Sequence, residues 1–136
     1  MRIVITGSCG FVAQHLKAVF EAHGATIFGV DRVPAVSGEQ SYVQSNLMDK
    51  AAIKRLFAEQ KPDAIVHLAA VSSVGQSWKT PVESFMNNTN IFLNLVESVR
   101  ELGMHPRILS VGSSEEYGNY GEAEMPLKET HELRPI

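Results

Sequence analysis

Apolar residues fall along this chain in short β-branched runs that alternate with longer stretches of helical spacing, the pattern of strands and helices taking turns. Ile3, Val4 and Ile5 are too few for a helix and read as a strand buried on both faces of a parallel sheet. Thr6 to Gly10 is the turn that follows, and Val12, Leu16, Val19 and Phe20 then mark the apolar stripe of a helix ending at Gly24. A second run, Thr26 to Val30, ends on Asp31. Val33 to Gln40 has turn formers and no period, which predicts a surface loop, and Tyr42 to Gln44 predicts a short strand. Asp49 stands where it can cap a helix whose Ile53, Leu56 and Phe57 share one face and which stops before Lys61.

Ala64 to Leu68 is the next buried strand, and Ala69 to Trp78 reads as a loop of small residues at its carboxyl end. Thr80, Pro81 and Glu83 announce a long helix: an N-cap threonine, a proline at the first helical position and a glutamate able to close a capping box. Phe85, Phe92, Leu95, Val96, Val99 and Leu102 supply its apolar face before Gly103 ends it. Arg107 to Val111 is a fifth strand, and the acidic stretch from Asn119 to Ile136, with Pro126 and Pro135, reads as loop. The alternation predicts a doubly wound α/β fold of Rossmann type, a parallel sheet with right-handed crossovers and strand order 3-2-1-4-5. The switch point between the first and fourth strands gathers the Gly7 turn, the loop after Leu68 and the loop after Val111 along one edge, where such sheets bind ligands.

At 136 residues the chain has the size of one domain, residues 1–136, able to bury a core. A net charge of −3 gives no basic footprint for nucleic acid. Cys9 is the single cysteine, which rules out an internal disulfide and a multi-cysteine metal centre; it reads as a small residue filling a tight turn. With no apolar run of membrane-spanning length and no signal-peptide pattern, a cytoplasmic, soluble chain with no membrane partner is expected.

The chemistry concentrates at the first turn. Gly7 and Gly10, between a strand and a helix, let backbone N–H groups approach a pyrophosphate at the positive end of the helix dipole. Asp31, twenty-one residues after Gly10, stands where a carboxylate at the tip of the second strand accepts hydrogen bonds from an adenosine ribose. A dinucleotide is the ligand this spacing selects. The negative charge at Asp31 favours NAD, while the guanidinium of Arg32 beside it keeps NADP open. No group of His, Cys and carboxylates has metal-ligand spacing. His67 reads as a satisfied histidine at a strand end, and Trp78 as a ring that either stacks on a ligand or covers the core.

Thr6-Gly7-Ser8-Cys9-Gly10-Phe11, His67-Leu68-Ala69-Ala70 and Ser113-Ser114-Glu115-Glu116-Tyr117-Gly118 together resemble the extended short-chain dehydrogenase/reductases, the NAD-dependent epimerase/dehydratase family of nucleotide-sugar enzymes. Within it, Ser72 to Trp78, Arg107 to Gly118 and Leu133-Arg134-Pro135 most resemble GDP-4-keto-6-deoxy-D-mannose reductases, with GDP-mannose 4,6-dehydratases close by. The resemblance implies that Gly7, Gly10, Phe11 and Val12 contact the pyrophosphate, Asp31 and Arg32 the adenosine ribose, and Asn46 with Leu47 the adenine. It puts Leu68, Ala69 and Ala70 along the nicotinamide side of the cleft, Ser72 near the cofactor, and Ser73, Ser114 and Glu115 against a nucleotide-sugar substrate. Asn88 matches the family's asparagine in the long helix. Ser113 is implied as the hydroxyl of a catalytic triad and Glu115 as an acid/base or polar substrate contact, although a serine pair after a strand also serves as a turn or helix cap. A homodimer is implied for the intact enzyme.

The chain departs from the family pattern in three places: Asn46 stands where an aspartate is usual, Ala13 where a third glycine is, and Ile91-Phe92 where many members have Gly-Thr. The family's tyrosine, with a lysine four residues on, comes shortly after the Leu-Arg-Pro segment and so beyond Ile136. The expectation is therefore the amino-terminal part of a longer enzyme, inactive alone. Three functions stay open: reduction of the C4 ketone of a GDP-4-keto-6-deoxyhexose, taken first; GDP-mannose 4,6-dehydration or nucleotide-sugar 4-epimerisation; and dinucleotide binding without catalysis.

Overall fold

A computed structural model describes residues 1–35 and 41–136, so the part of the expected loop that falls on 36–40 lies outside the described residues. Five parallel strands, β1 (Arg2–Thr6), β2 (Thr26–Asp31), β3 (Tyr42–Gln44), β4 (Ala64–His67) and β5 (Arg107–Ser110), form one sheet. Its order is β3-β2-β1-β4-β5, as the alternation of elements predicts. The connections carry helices α1 (Phe11–Ala22), α2 (Lys50–Gln60), α3 (Val74–Lys79) and α4 (Pro81–Glu101).

The two-residue period of the strands divides the core. Val4, Val30 and Ile65 face one side, where they pack with Ile53, Leu56 and Phe57 of α2 and Ile91, Leu95 and Val99 of α4. Ile3, Ile5, Ile27 and Val66 face the other, against Ala13, Leu16 and Phe20 of α1. Phe57 is wholly buried, a burial that contributes roughly 1.5–3 kcal/mol. The carboxylate of Glu101 ties α4 to α2 by accepting from Lys50 at 2.6 Å and Lys54 at 2.9 Å, and these contacts, Lys50 first, pull its pKa down to about 2.

Several local readings change in the folded chain. Val12 and Val19 of α1 point to solvent, because Ala13 faces the sheet and Leu16 and Phe20 lie half-buried beside it. On α4 the buried face runs through Ser84, Ile91, Leu95, Ser98 and Val99, which turns Phe85 outward. Thr80 stands at the N-cap of α4 with Pro81 opening the helix, as expected, but its side chain makes no capping bond and no capping box forms; its hydroxyl turns back toward Gln76 of α3. The expected loop from Ala69 to Trp78 contains α3, capped by the Ser73 hydroxyl accepting from the Gln76 N–H. β5 is exposed at every residue, and the stretch from Asn119 onward is loop apart from one 3-10 turn, Glu122–Glu124.

The Asp49 carboxylate accepts the Ala52 N–H at 3.0 Å, so the start of α2 is as its sequence announced. Its end is less comfortable. Lys61 closes the helix at φ 44°, a left-handed conformation that disfavours any residue with a Cβ. Lys61→Gly is expected to stabilise the chain by about 0.5–1 kcal/mol, read as a higher denaturant midpoint at unchanged slope.

Candidate functional site

The loops at the carboxyl ends of β1, β2 and β4 meet at Gly7. Its N–H and that of Ser8 both donate to the Val30 carbonyl, at 2.9 and 3.3 Å, which folds the turn onto β2. On the other side it touches the chain leaving β4: a Cβ at Gly7 would stand 2.8 Å from the Ala69 nitrogen and 3.0 Å from the Leu68 carbonyl carbon. With φ at +69°, the position admits only glycine. Gly10 begins α1 with no side-chain cap, and the first turn of that helix carries no acidic residue. Its opening N–H groups, at Phe11, Val12 and Ala13, therefore face the edge as an uncapped positive terminus.

Asp31 is bound into this turn. One carboxylate oxygen accepts the Cys9 N–H at 3.0 Å and the other the Arg32 N–H at 2.7 Å, leaving acceptor capacity on a half-buried group beside the helix terminus. Arg32 is exposed next to it. The Ser8 hydroxyl, fully buried, has no hydrogen-bond partner among the described residues. A glycine cradle, an uncapped helix start and a partly engaged carboxylate suit a diphosphate joined to a diol. The residues present thus fit a dinucleotide.

Thr6 and His67 support the turn from beneath. The Thr6 hydroxyl accepts the Ala69 N–H at 3.4 Å and is hydrogen-bonded to His67 Nδ1 at 2.8 Å. His67 is buried against the Phe92 ring, and loss of hydration lowers its pKa below the ordinary 6.5. The ring is buried and hydrogen-bonded, the satisfied histidine at a strand end that the sequence suggested.

Two asparagines of α4 fix the neighbouring loops. Asn88 accepts the Val71 N–H at 2.8 Å and donates to the Val71 carbonyl at 3.1 Å, pinning the segment from Leu68 to Ser73. Asn94 donates to the Leu47 and Met48 carbonyls at 3.0 and 3.1 Å, pinning the turn after β3 that holds Asn46 and Leu47. That turn also lies beside Asp31, whose carbonyl accepts the Ser45 N–H at 2.8 Å. The reading of the sequence passed over Asn94 and Thr6; the available signal was a polar residue on the face that Ile91 and Ser98 share.

Gly7, Gly10, Phe11, Val12, Asp31, Asn46, Leu47, Leu68, Ala69 and Ala70 are thus brought to one edge, with Ser72 and Ser73 exposed at its rim. Ser113, Ser114 and Glu115 follow β5, which the Val111 N–H joins to the His67 carbonyl at 3.4 Å. Their hydrogen bonds are local: the Ser113 hydroxyl accepts the Glu115 N–H at 3.2 Å and so caps the 3-10 turn Ser114–Tyr117. All three are exposed.

Residues 3–136 match the NAD dependent epimerase/dehydratase family. A UDP-glucose 4-epimerase of Streptococcus mutans is 31% identical over the whole of this chain, which covers 42% of that protein. The solved UDP-glucose 4-epimerase of Thermus thermophilus, in complex with NAD, superposes with a TM-score of 0.85 at 30% identity, over 99% of this chain and 45% of that one. The enzyme of the same name from Bifidobacterium longum, in complex with NAD+ and UDP, gives 0.87 at 25% identity, over 98% of this chain and 43% of that one. The chain spans about 40% of the length of the curated relatives it matches. No helix among the described residues is long and apolar enough to cross a membrane.

Two measurements check this geometry. Gly7→Ala is expected to cost at least about 2 kcal/mol in denaturant unfolding, from its left-handed backbone and its contact with Ala69. His67 binds a proton more readily when the chain unfolds than when it is folded, so its contribution is fully present above pH 6.5 and is lost as pH falls below that value. Between about pH 7.5 and about pH 5, the melting temperature of His67→Asn should fall less steeply than that of the unaltered chain.

Proposed function

The chain belongs to the NAD dependent epimerase/dehydratase family, and from that premise we propose that residues 1–136 form a dinucleotide-binding domain that takes NAD across the carboxyl edge of its sheet. We propose further that, in a protein of its relatives' length, it serves a nucleotide-sugar 4-epimerase. The observation that carries the reading is the union of Asp31 with the glycine turn through the Cys9 N–H, which sets a ribose acceptor beside an uncapped helix start. The relatives named above are UDP-glucose 4-epimerases, so 4-epimerisation, second in the reading of the sequence, moves ahead of reduction of a GDP-4-keto-6-deoxyhexose. A UDP-hexose is accordingly the substrate class favoured.

When bound, NAD supplies a hydride acceptor that can oxidise C4 of a hexose and return the hydride to its other face. The chain's part is to bind and orient. The N–H groups opening α1 take the diphosphate, Asp31 the adenosine ribose diol, and the neutral wall of Leu68, Ala69 and Ala70 leaves room for an uncharged ring. The Ser113 hydroxyl donates a hydrogen bond to the sugar oxygen as charge develops on it, with Ser114 and Glu115 contacting the sugar. Tyr117 and Tyr120 are followed four residues on by Gly121 and Glu124, so neither supplies a tyrosine–lysine pair, and the chain by itself is proposed to bind without turnover.

Calorimetric titration of the chain with NAD should show one site, and Asp31→Asn should weaken it by about tenfold or more. Failure to associate at millimolar NAD would sink the proposal. With an enzyme of the relatives' length, a 4-epimerase restores its nicotinamide absorbance at the end of each cycle. Stoichiometric oxidation of reduced cofactor by a 4-keto sugar nucleotide would return the reductase to first place.

A further inference from the structure

The 3-10 turn after β5 has two ends, and they are held by different parts of the chain. At the first, the Val111 N–H donates to the His67 carbonyl and so ties the turn to the sheet. Within it the Ser113 carbonyl accepts the Glu116 N–H at 3.2 Å and the Glu115 carbonyl the Gly118 N–H at 3.1 Å, bonds that stiffen the turn without placing it. Its second end meets a strap formed by residues 131–135. Gly118 has φ +69°, and a Cβ there would overlap the Arg134 carbonyl oxygen, with the carbonyl carbon 2.9 Å away, so the contact requires glycine. Tyr120 clasps the strap. Its phenol donates to the Glu132 carbonyl at 2.8 Å, the Arg134 guanidinium lies over its ring 4.9 Å from the centroid, and the His131 ring stands edge-on to it with centroids 5.2 Å apart. Arg134 Nε donates to the Glu132 carboxylate at 3.1 Å, which steadies the guanidinium over the ring.

We infer that Tyr120 and Gly118 are positioning residues for Ser113, acting through the strap that they seat against its turn. This rests on the proposed role of Ser113 as a donor to the sugar oxygen and adds to that site a device which itself touches no substrate. The Ser113 oxygen already accepts the Glu115 N–H, so its proton is what it has left to give, and the turn as a body sets where that proton points. All of Ser113, Ser114 and Glu115 are exposed, with no packing around them to hold the turn in place. A turn tied at one end pivots about β5, whereas the strap at Gly118 gives it a second anchor. Misplacement of a catalytic group by 1 Å can cost about a hundredfold in rate, so the anchor matters to the chemistry although it stands outside it.

The test replaces Tyr120, which leaves the residues of the turn unaltered. In Tyr120→Leu the backbone amide order parameters of residues 113–117, measured by NMR relaxation, should fall from about 0.85 to about 0.6 or below while those of β1 and β4 stay as they were. Tyr120→Phe keeps the ring for Arg134 and His131 and should restore most of the order. In a protein of the relatives' length, kcat for epimerisation of a UDP-hexose should fall about tenfold in Tyr120→Leu with the affinity for NAD unchanged, and should recover in Tyr120→Phe. Order parameters that do not move overturn the inference, and so does an unchanged kcat. If the unaltered longer protein turns over no UDP-hexose, the reading of the function falls, and the order parameters alone decide whether the strap holds the turn. Should Tyr120→Leu lose its helical circular dichroism, Arg134→Ala takes its place with the same two readouts.

Discussion

The contact on which the ligand edge depends is the wedge of Gly7 between two strands. Its nitrogen is committed to the Val30 carbonyl, and its α-carbon lies so close to the backbone of Leu68 and Ala69 that no side chain fits. One residue thereby sets the separation of the loops leaving β1, β2 and β4. Each other feature of the site is placed relative to it. The Cys9 N–H reaches Asp31 because the turn is pressed onto β2, and the Thr6 hydroxyl reaches both His67 and the Ala69 N–H because it is pressed onto β4. Buried polar groups in such a node are costly when left unpaired, so the node also resists local rearrangement.

Around this node, α4 acts as a common brace. Its buried face packs with α2 and the sheet, and two of its carboxamides reach loops that are far apart in sequence, Asn88 the one after β4 and Asn94 the one after β3. A carboxamide serves here because one side chain can accept an N–H while donating to a carbonyl, or donate to two carbonyls, whereas a hydroxyl has a single donor and a carboxylate has none. At Asn46 the carboxamide oxygen accepts the Met48 N–H within its own turn.

Much of this fold was legible beforehand, and for definite reasons. Isolated β-branched runs, glycines at helix ends and the Asp49 cap are local signals, and they place β1 to β5, α1 and α2 correctly. The readings that changed were those that asked local chemistry to decide a tertiary question. Thr80 is a plausible cap until α3 offers its hydroxyl Gln76. Phe85 belongs to an apolar face until packing against α2 and the sheet selects the face of Ser84, Ile91 and Leu95. A hydrophobic side chain carries no record of which face its neighbours will cover.

The sequence alone determined the parallel sheet, its order and the strand–glycine–helix turn with a carboxylate twenty-one residues on, because backbone conformation and side-chain period are properties of neighbouring residues. Only the tertiary structure decided that Asp31 is hydrogen-bonded to that turn, that Thr6 and His67 brace it, and that Asn94 holds the turn after β3. Those contacts join residues 61, 47 and 22 positions apart, among others, and form only once the sheet has brought the ends of its strands together.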